Sequence, residues 1–76
     1  MADYDQELDA SGLTCPLPIL KAKKALSSME AGQILRVIST DAGSVLDFES
    51  FSKQTGNPLL DSGEEEGKFV FLIKKA

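Results

Sequence analysis

The alternation of apolar and polar side chains divides the chain into six segments. From Tyr4 to Ala10 the residues Tyr4, Gln6, Leu8 and Ala10 fall on one side of an extended backbone and Asp5, Glu7 and Asp9 on the other, so a first strand is predicted. Ser11 and Gly12 break it. Pro16 and Pro18 follow where a helix tolerates them, because the first turn does not use its backbone N–H groups. A helix is therefore predicted from about Pro16 to Met29, with Ile19, Ala22, Ala25, Leu26 and Met29 on its core side and Lys21, Lys24 and Ser28 opposite. Gly32 is expected to close it as a left-handed cap. The β-rich run Gln33 to Ser39 is apolar on both faces except at Arg36, as in a central strand covered more on one side than the other.

A second helix is predicted from Ser44 to Thr55. Asp41 and Ser44 are both N-cap candidates, Ser44 and Asp47 have capping-box spacing, and Val45, Phe48, Phe51 and Thr55 recur at three to four residues. Gly56 and Asn57-Pro58 end the pattern. Leu59 and Leu60 open a short extended piece, residues 62 to 67 (SGEEEG) read as a polar turn, and Phe69 to Ile73 (FVFLI) is the most strand-like run, which together suggest a hairpin. The order βαβαββ predicts an α+β fold, a two-layer α/β sandwich with two helices on one face of a four-stranded mixed sheet.

At 76 residues, this organisation is read as a single domain, 1–76. A chain of this size buries only about 60% of the surface it exposes when unfolded, so its stability is modest. Nothing covalent supplements the core: one cysteine cannot form an internal disulfide, and without histidine the ligand set of a structural zinc site is missing. The free thiol and an acidic, polar N-terminus point to a cytoplasmic protein. No apolar run approaches the roughly 20 residues that a membrane span needs. The net charge of −4 opposes a phosphate backbone, so direct nucleic-acid binding is disfavoured, with only the cluster Lys21, Lys23 and Lys24 in its favour.

The missing histidine also excludes Cys-His and Ser-His nucleophile pairs, and the single cysteine excludes dithiol exchange. What remains is one thiol. Cys15 falls at the start of the first predicted helix, where the positive end of the macrodipole and free N–H groups favour a thiolate. A lone cysteine in a small domain is commonly a core residue. Here burying it would require burying a helix start between two prolines, which favours the functional reading. Pro16 and Pro18 position the sulfur. Leu17 and Leu20 lie outside the apolar side of the helix and, with Lys21 and Lys24, form a candidate partner-docking surface, although lysines on such a helix are commonly a solvated face. No cofactor or metal site is expected. Three uses of Cys15 fit these residues: carriage of a transferable group, a thiol redox sensor, and an interaction module in which the thiol is incidental.

The run Leu8-Asp9-Ala10-Ser11-Gly12-Leu13-Thr14-Cys15-Pro16-Leu17-Pro18 resembles the opening of the TusA/SirA-like sulfur-carrier family, marked by a Cys-Pro-x-Pro motif at the first helix. The resemblance continues through Lys24-Ala25-Leu26, Gly32, Thr40-Asp41, Asp47-Phe48 and Gly56. It implies the same βαβαββ sandwich and a persulfide on Cys15. It further implies a cysteine desulfurase or rhodanese-type donor, an acceptor protein, and a covalent carrier rather than an independent enzyme. Transfer RNA thiolation, molybdenum cofactor synthesis and sulfur oxidation are the routes such carriers serve. Many members have a second cysteine where this chain has Ser52, and a histidine where it has Asn57.

Overall fold

The computed structural model describes residues 4–14 and 16–76. Its elements are β1 (Gln6–Ala10), α1 (Leu17–Ser27), β2 (Ile34–Ser39), α2 (Ser44–Thr55), β3 (Leu59–Glu65) and β4 (Lys68–Lys74), in the predicted order. The strands form one mixed sheet in the order β1-β2-β4-β3: β1 runs parallel to β2, and β4 antiparallel to both β2 and β3. Both helices cover one face.

Register decides which side chains reach the core. Leu8 stands beside Val37, and Ala10 beside Ser39, while Leu35, Val37 and Ser39 oppose Ile73, Phe71 and Phe69 across β4. These residues face the helices. Ala10, Leu35, Val37, Phe71 and Ile73 are buried against Ala22, Leu26 and Met29 from the α1 side and Phe48 and Phe51 from α2. The Phe71 ring stacks on Phe48 with centroids 4.6 Å apart, and Phe48 meets Phe51 edge to face at 6.3 Å. The four phenylalanines thus serve the core, Phe69 from its margin.

Several boundaries differ from the sequence-based expectation. Tyr4 does not join the Leu8 and Ala10 face. Asp5 makes a bend, exchanging its amide and carboxylate with Ile34 at 2.8 and 2.7 Å, and Tyr4 turns to the opposite face beneath Arg36. α1 ends at Ser27 rather than near Met29, because the Ser27 and Ser28 hydroxyls donate to the carbonyls of Lys24 and Ala25 and compete with the next helical turn. Gly32 has the expected left-handed φ of 92° but is not the cap. It lies in the following turn, where its N–H donates to Lys75. Gly56 does cap α2, with φ 78° and its N–H on the Ser52 carbonyl.

The hairpin is longer than read. β3 continues through Glu65, so the turn is Glu66-Gly67 alone, both residues having positive φ (51° and 78°) as a tight, right-twisted hairpin requires. The glutamates lowered the strand propensity of residues 62–65, but pairing with β4 overrides it on an edge strand that is almost wholly exposed.

Removing the stacked ring should be severe. Phe71→Ala is expected to cost about 3–5 kcal/mol against a total of about 4–11 kcal/mol for a domain of this size, whereas Phe71→Leu should cost under about 1.5 kcal/mol. Urea midpoints of the two variants test this. A Phe71→Leu midpoint equal to that of wild type would show that the Phe48 stack adds nothing beyond filling the space, and one equal to that of Phe71→Ala would overturn the packing account.

Candidate functional site

Two strand-to-helix connections meet at one end of the sheet. Because β1 and β2 are parallel neighbours ending at Ala10 and Ser39, the segments leading into α1 and α2 both leave from the carboxyl ends of adjacent strands. They are tied directly, as Gly12 N–H donates to Thr40 Oγ1 at 2.9 Å, with Gly12 at φ 82°. Before the tie, Asp9 Oδ1 accepts the Ser11 N–H at 3.0 Å. The Ser11 hydroxyl and then this amide hold the Asp9 carboxyl below the usual range. After it, Leu13 N–H donates to Ala10 and Leu17 N–H to Thr14.

The second connection is built on buried hydroxyls. Ser39 and Ser44 are fully buried and bonded through their Oγ atoms at 2.7 Å, and Ser39 Oγ also accepts the Asp41 amide at 3.1 Å. Asp41 Oδ1 takes the Gly43 N–H at 3.1 Å, and its carbonyl takes that of Ser44. The Ser44-Asp47 capping box therefore does not form: Gly43 is the N-cap, no side chain caps the helix, and Ser44 turns into the core instead.

Cys15 lies outside the described residues. The structure does place its neighbours. Pro16 is the N-cap of α1, exposed, without a capping side chain, and Pro18 occupies the second helical position and is fully buried. Pro18 thus costs no helical hydrogen bond and anchors the helix start in the core. The first turn of α1 contains no acidic residue, so nothing on that turn offsets the positive end of the helix.

Leu17 and Leu20 are exposed, at 43% and 53% of their surface. Lys21 and Lys24 are exposed as well and rim a groove of about 420 Å³ floored by Leu8 and Ala25, beside the β1 edge rather than at the helix start. Lys24 is also the basic residue of the last helical turn, which complements the negative helix end. The four residues expected to form one docking surface therefore divide into two neighbouring areas.

Some surroundings of the motif were not anticipated. A cleft of about 190 Å³ between the helices is lined by Pro16 and Ile19 from one side and Asp47, Ser50, Phe51 and Gln54 from the other. Asp47, Ser50 and Gln54 recur at helical spacing beside the apolar stripe, a signal present in the sequence. Leu46, on the first turn of α2, is 71% exposed and lies at the same end of the sheet. Ser52 and Asn57, by contrast, hold the α2–β3 connection. Ser52 Oγ donates to the Asn57 carbonyl and accepts from Leu59 N–H, while buried Asn57 accepts the Ala76 amide through Oδ1. Among the described residues no group of three potential ligands could hold a metal ion, and no helix is long and apolar enough to cross a membrane.

Residues 6–75 match the family described as Sulfurtransferase TusA. The chain is 70% identical to the sulfur carrier protein TusA of Allochromatium vinosum over the full length of both. Its fold superposes on the crystal structure of a SirA-like protein from Desulfitobacterium hafniense with a TM-score of 0.83 and 28% identity, covering 92% of this chain and 96% of that one.

Two predictions follow from the loop geometry. Ser39→Ala removes the acceptor of the Asp41 amide and strands the buried Ser44 hydroxyl, so it should cost about 1–3 kcal/mol, and more than Ser44→Ala, which leaves the Ser39–Asp41 bond intact. Thermal melts of the two variants rank them. The Asp9 carboxyl should titrate below the ordinary value of about 3.9 and move upward in Ser11→Ala. Because the folded value is the depressed one, its contribution to stability is present above about pH 4 and lost as pH falls through the folded value. A carboxyl-carbon NMR titration reads both, and an unshifted Asp9 would remove that contribution.

Proposed function

The chain belongs to the TusA/SirA-like family, and on that premise we propose that it is a sulfur-carrier domain spanning 1–76 that bears transferable sulfur as a persulfide on Cys15. The single observation that carries this reading is the start of α1: an N-cap without a side-chain partner, a first turn without a carboxylate, and a buried Pro18 fixing the helix directly after the only thiol of the chain. A helix end of this kind lowers a thiol pKa and supports a thiolate without a neighbouring base.

The proposed reaction is sulfur exchange. The Cys15 thiolate attacks the outer sulfur of a donor persulfide, a sulfur–sulfur bond forms as the donor's breaks, and the donor leaves as a thiolate. An acceptor thiolate then repeats the step on Cys15. Each exchange conserves the oxidation level and needs no external oxidant. A cysteine desulfurase or rhodanese-type protein is the proposed donor, in the cytoplasm, with delivery toward transfer RNA thiolation, molybdenum cofactor synthesis or sulfur oxidation. The chain acts as a covalent carrier, with the partner proteins supplying turnover.

Leu17 and Leu20, with Lys21 and Lys24 behind them, are the proposed docking surface. Exposed leucines beside the reactive position are explained by burial in a complex, and neighbouring lysines supply steering toward an acidic partner.

Incubation with a cysteine desulfurase and free cysteine, followed by intact-mass measurement, tests the carrier reading. Wild type should gain one sulfur, lose it on reduction, and Cys15→Ser should gain none. If a rhodanese-type donor also fails to load wild type, the carrier reading falls, and faster modification by peroxide would favour a redox sensor. With the fold verified, Leu17→Ala and Leu20→Ala should each slow loading about tenfold, equivalent to about 1.4 kcal/mol. Unchanged rates would remove them from the docking surface.

A further inference from the structure

β1 is an end strand of the sheet. It pairs with β2 alone, so among the described residues no strand meets its outer edge. A strand with an open edge offers a row of main-chain donors and acceptors to another chain. The groove of about 420 Å³ lies on the helix side of that edge, with Leu8 and Ala25 as its floor and Lys21, Lys24, Ser27 and Ser28 along its wall. Edge and groove thus stand side by side.

The alternation along β1 sorts its charges. Leu8 is half-buried on the helix side, whereas Glu7 and Asp9 point to the opposite face, where Glu7 pairs with Arg36 and Asp9 lies in the field of Lys68. The Asp5 carboxylate is held by the Ile34 amide. Among the described residues no carboxylate therefore lines the groove. The Ser27 and Ser28 hydroxyls donate back to the carbonyls of Lys24 and Ala25, which leaves the ammonium groups of Lys21 and Lys24 as the side-chain donors offered to an occupant. Neither lysine makes an ion pair among the described residues, and at a spacing of one helical turn they stand on the same side of α1. The groove is thus complementary to an apolar side chain accompanied by a carboxylate.

We propose that β1 and this groove form a strand-addition site for an extended, acidic segment of a partner protein. The segment pairs its backbone with the outer edge of β1 and lays an apolar side chain over Leu8 and Ala25. A glutamate or aspartate two positions away, on the same side of the added strand, meets Lys21 and Lys24. The intervening residues fall beside Glu7 and Asp9 and must be uncharged or basic. A second copy of the chain fits poorly, because a two-fold axis joining β1 to β1 would gather the same lysines on one face and the same carboxylates on the other. The site deepens the docking surface proposed above and rests on it for Lys21 and Lys24, but it uses them through a contact separate from Leu17 and Leu20 and needs no sulfur on Cys15.

The test is an NMR titration of the full chain carrying Cys15→Ser with a capped heptapeptide that has Glu, Leu and Glu at alternate positions and Thr elsewhere. Saturable shifts are expected at the amides of Glu7, Leu8, Asp9, Lys21, Lys24 and Ala25. Gln in place of the peptide's Glu should weaken binding about fivefold, as for exposed ion pairs. N-methylation of the central Leu and the Thr after it, one of which must face β1, should weaken it about tenfold or more by removing a ladder donor. Lys21→Glu with Lys24→Glu, both at exposed positions, should abolish binding of the Glu peptide and restore it for a peptide with Lys in place of Glu. The proposal is overturned if no saturable shifts occur, if N-methylation has no effect, or if the shifts follow every lysine of the chain and the charge swap fails to rescue. Shifts along β1 without peptide that grow with concentration, with a dimer in sedimentation, would overturn it in favour of a second copy. Because the titrated protein has no thiol, a failure here leaves the carrier reading standing, and a failure of wild type to load sulfur leaves this site standing.

Discussion

The parallel pairing of β1 with β2 is the constraint on which the rest of the structure depends. Parallel neighbours cannot be joined by a tight turn, so the chain must cross back over the sheet, and α1 is that crossover. Two consequences follow. α1 is driven onto the face where Leu8, Ala10, Leu35 and Val37 need cover, and the connections into both helices leave from the same end of the sheet. The Gly12–Thr40 bond is possible only because of that juxtaposition. An antiparallel β1 would place the end of β1 and the start of α2 at opposite ends.

The same pairing explains how a small, unbridged domain can keep a helix start rigid. With a single cysteine in the sequence, no internal disulfide holds the chain, and the described residues before and after position 15 are held by packing and hydrogen bonds. Pro18 supplies the packing, being fully buried at the second helical position. Asp9, Ser11, Gly12 and Thr40 supply the bonds, and the Ser39–Ser44 pair fixes the neighbouring connection from beneath. Leu17 and Leu20 could have been buried by a slightly rotated helix. They stay outside because Ala22 and Leu26 already fill the space over β1 and β2.

Much of this was legible in the sequence because the signals were local. The 3.6-residue repeat from Val45 through Phe48 to Phe51 and the stop at Gly56 placed α2 with its observed limits, and the Cys15-Pro16-Leu17-Pro18 run placed the start of α1 within a residue. Errors arose where a side chain had a choice of partner. Ser44 reads as a capping residue by spacing, but burial beside Ser39 offers its hydroxyl a stronger partner than the exposed helix end. Ser27 and Ser28 end α1 by bonding backward, which periodicity cannot register. Residues 62–65 read as turn because glutamate and glycine disfavour strands, yet β4 supplies a complete ladder partner and the edge leaves the glutamates in water. The inter-helix cleft was invisible for a different reason: it joins Pro16 to Asp47 and Gln54, residues brought together only by the packing of α1 on α2.

The shape of the site also bears on the kind of chemistry the proposed reading requires. Sulfur exchange between a persulfide and a thiolate makes and breaks bonds of the same type, so a carrier gains nothing from holding its sulfur tightly, and a deep enclosing pocket would slow delivery. What it requires is a nucleophile deprotonated near neutral pH, a fixed backbone around it and exposure to two partners in turn. In the proposed reading a helix end meets the first need without a neighbouring base, which is consistent with a chain that has no histidine. The buried Pro18 and the tied connections meet the second. Exposed Leu17, Leu20 and Leu46 around a shallow cleft meet the third, since apolar contacts that lack strong directionality can be formed with one partner, released and formed again with another. Selection between donor and acceptor must then come from surfaces away from the thiol. Two such surfaces differ in charge, α1 with Lys21, Lys23 and Lys24 and no acidic residue in its first turn, and the β3 edge with Asp61, Glu64 and Glu65.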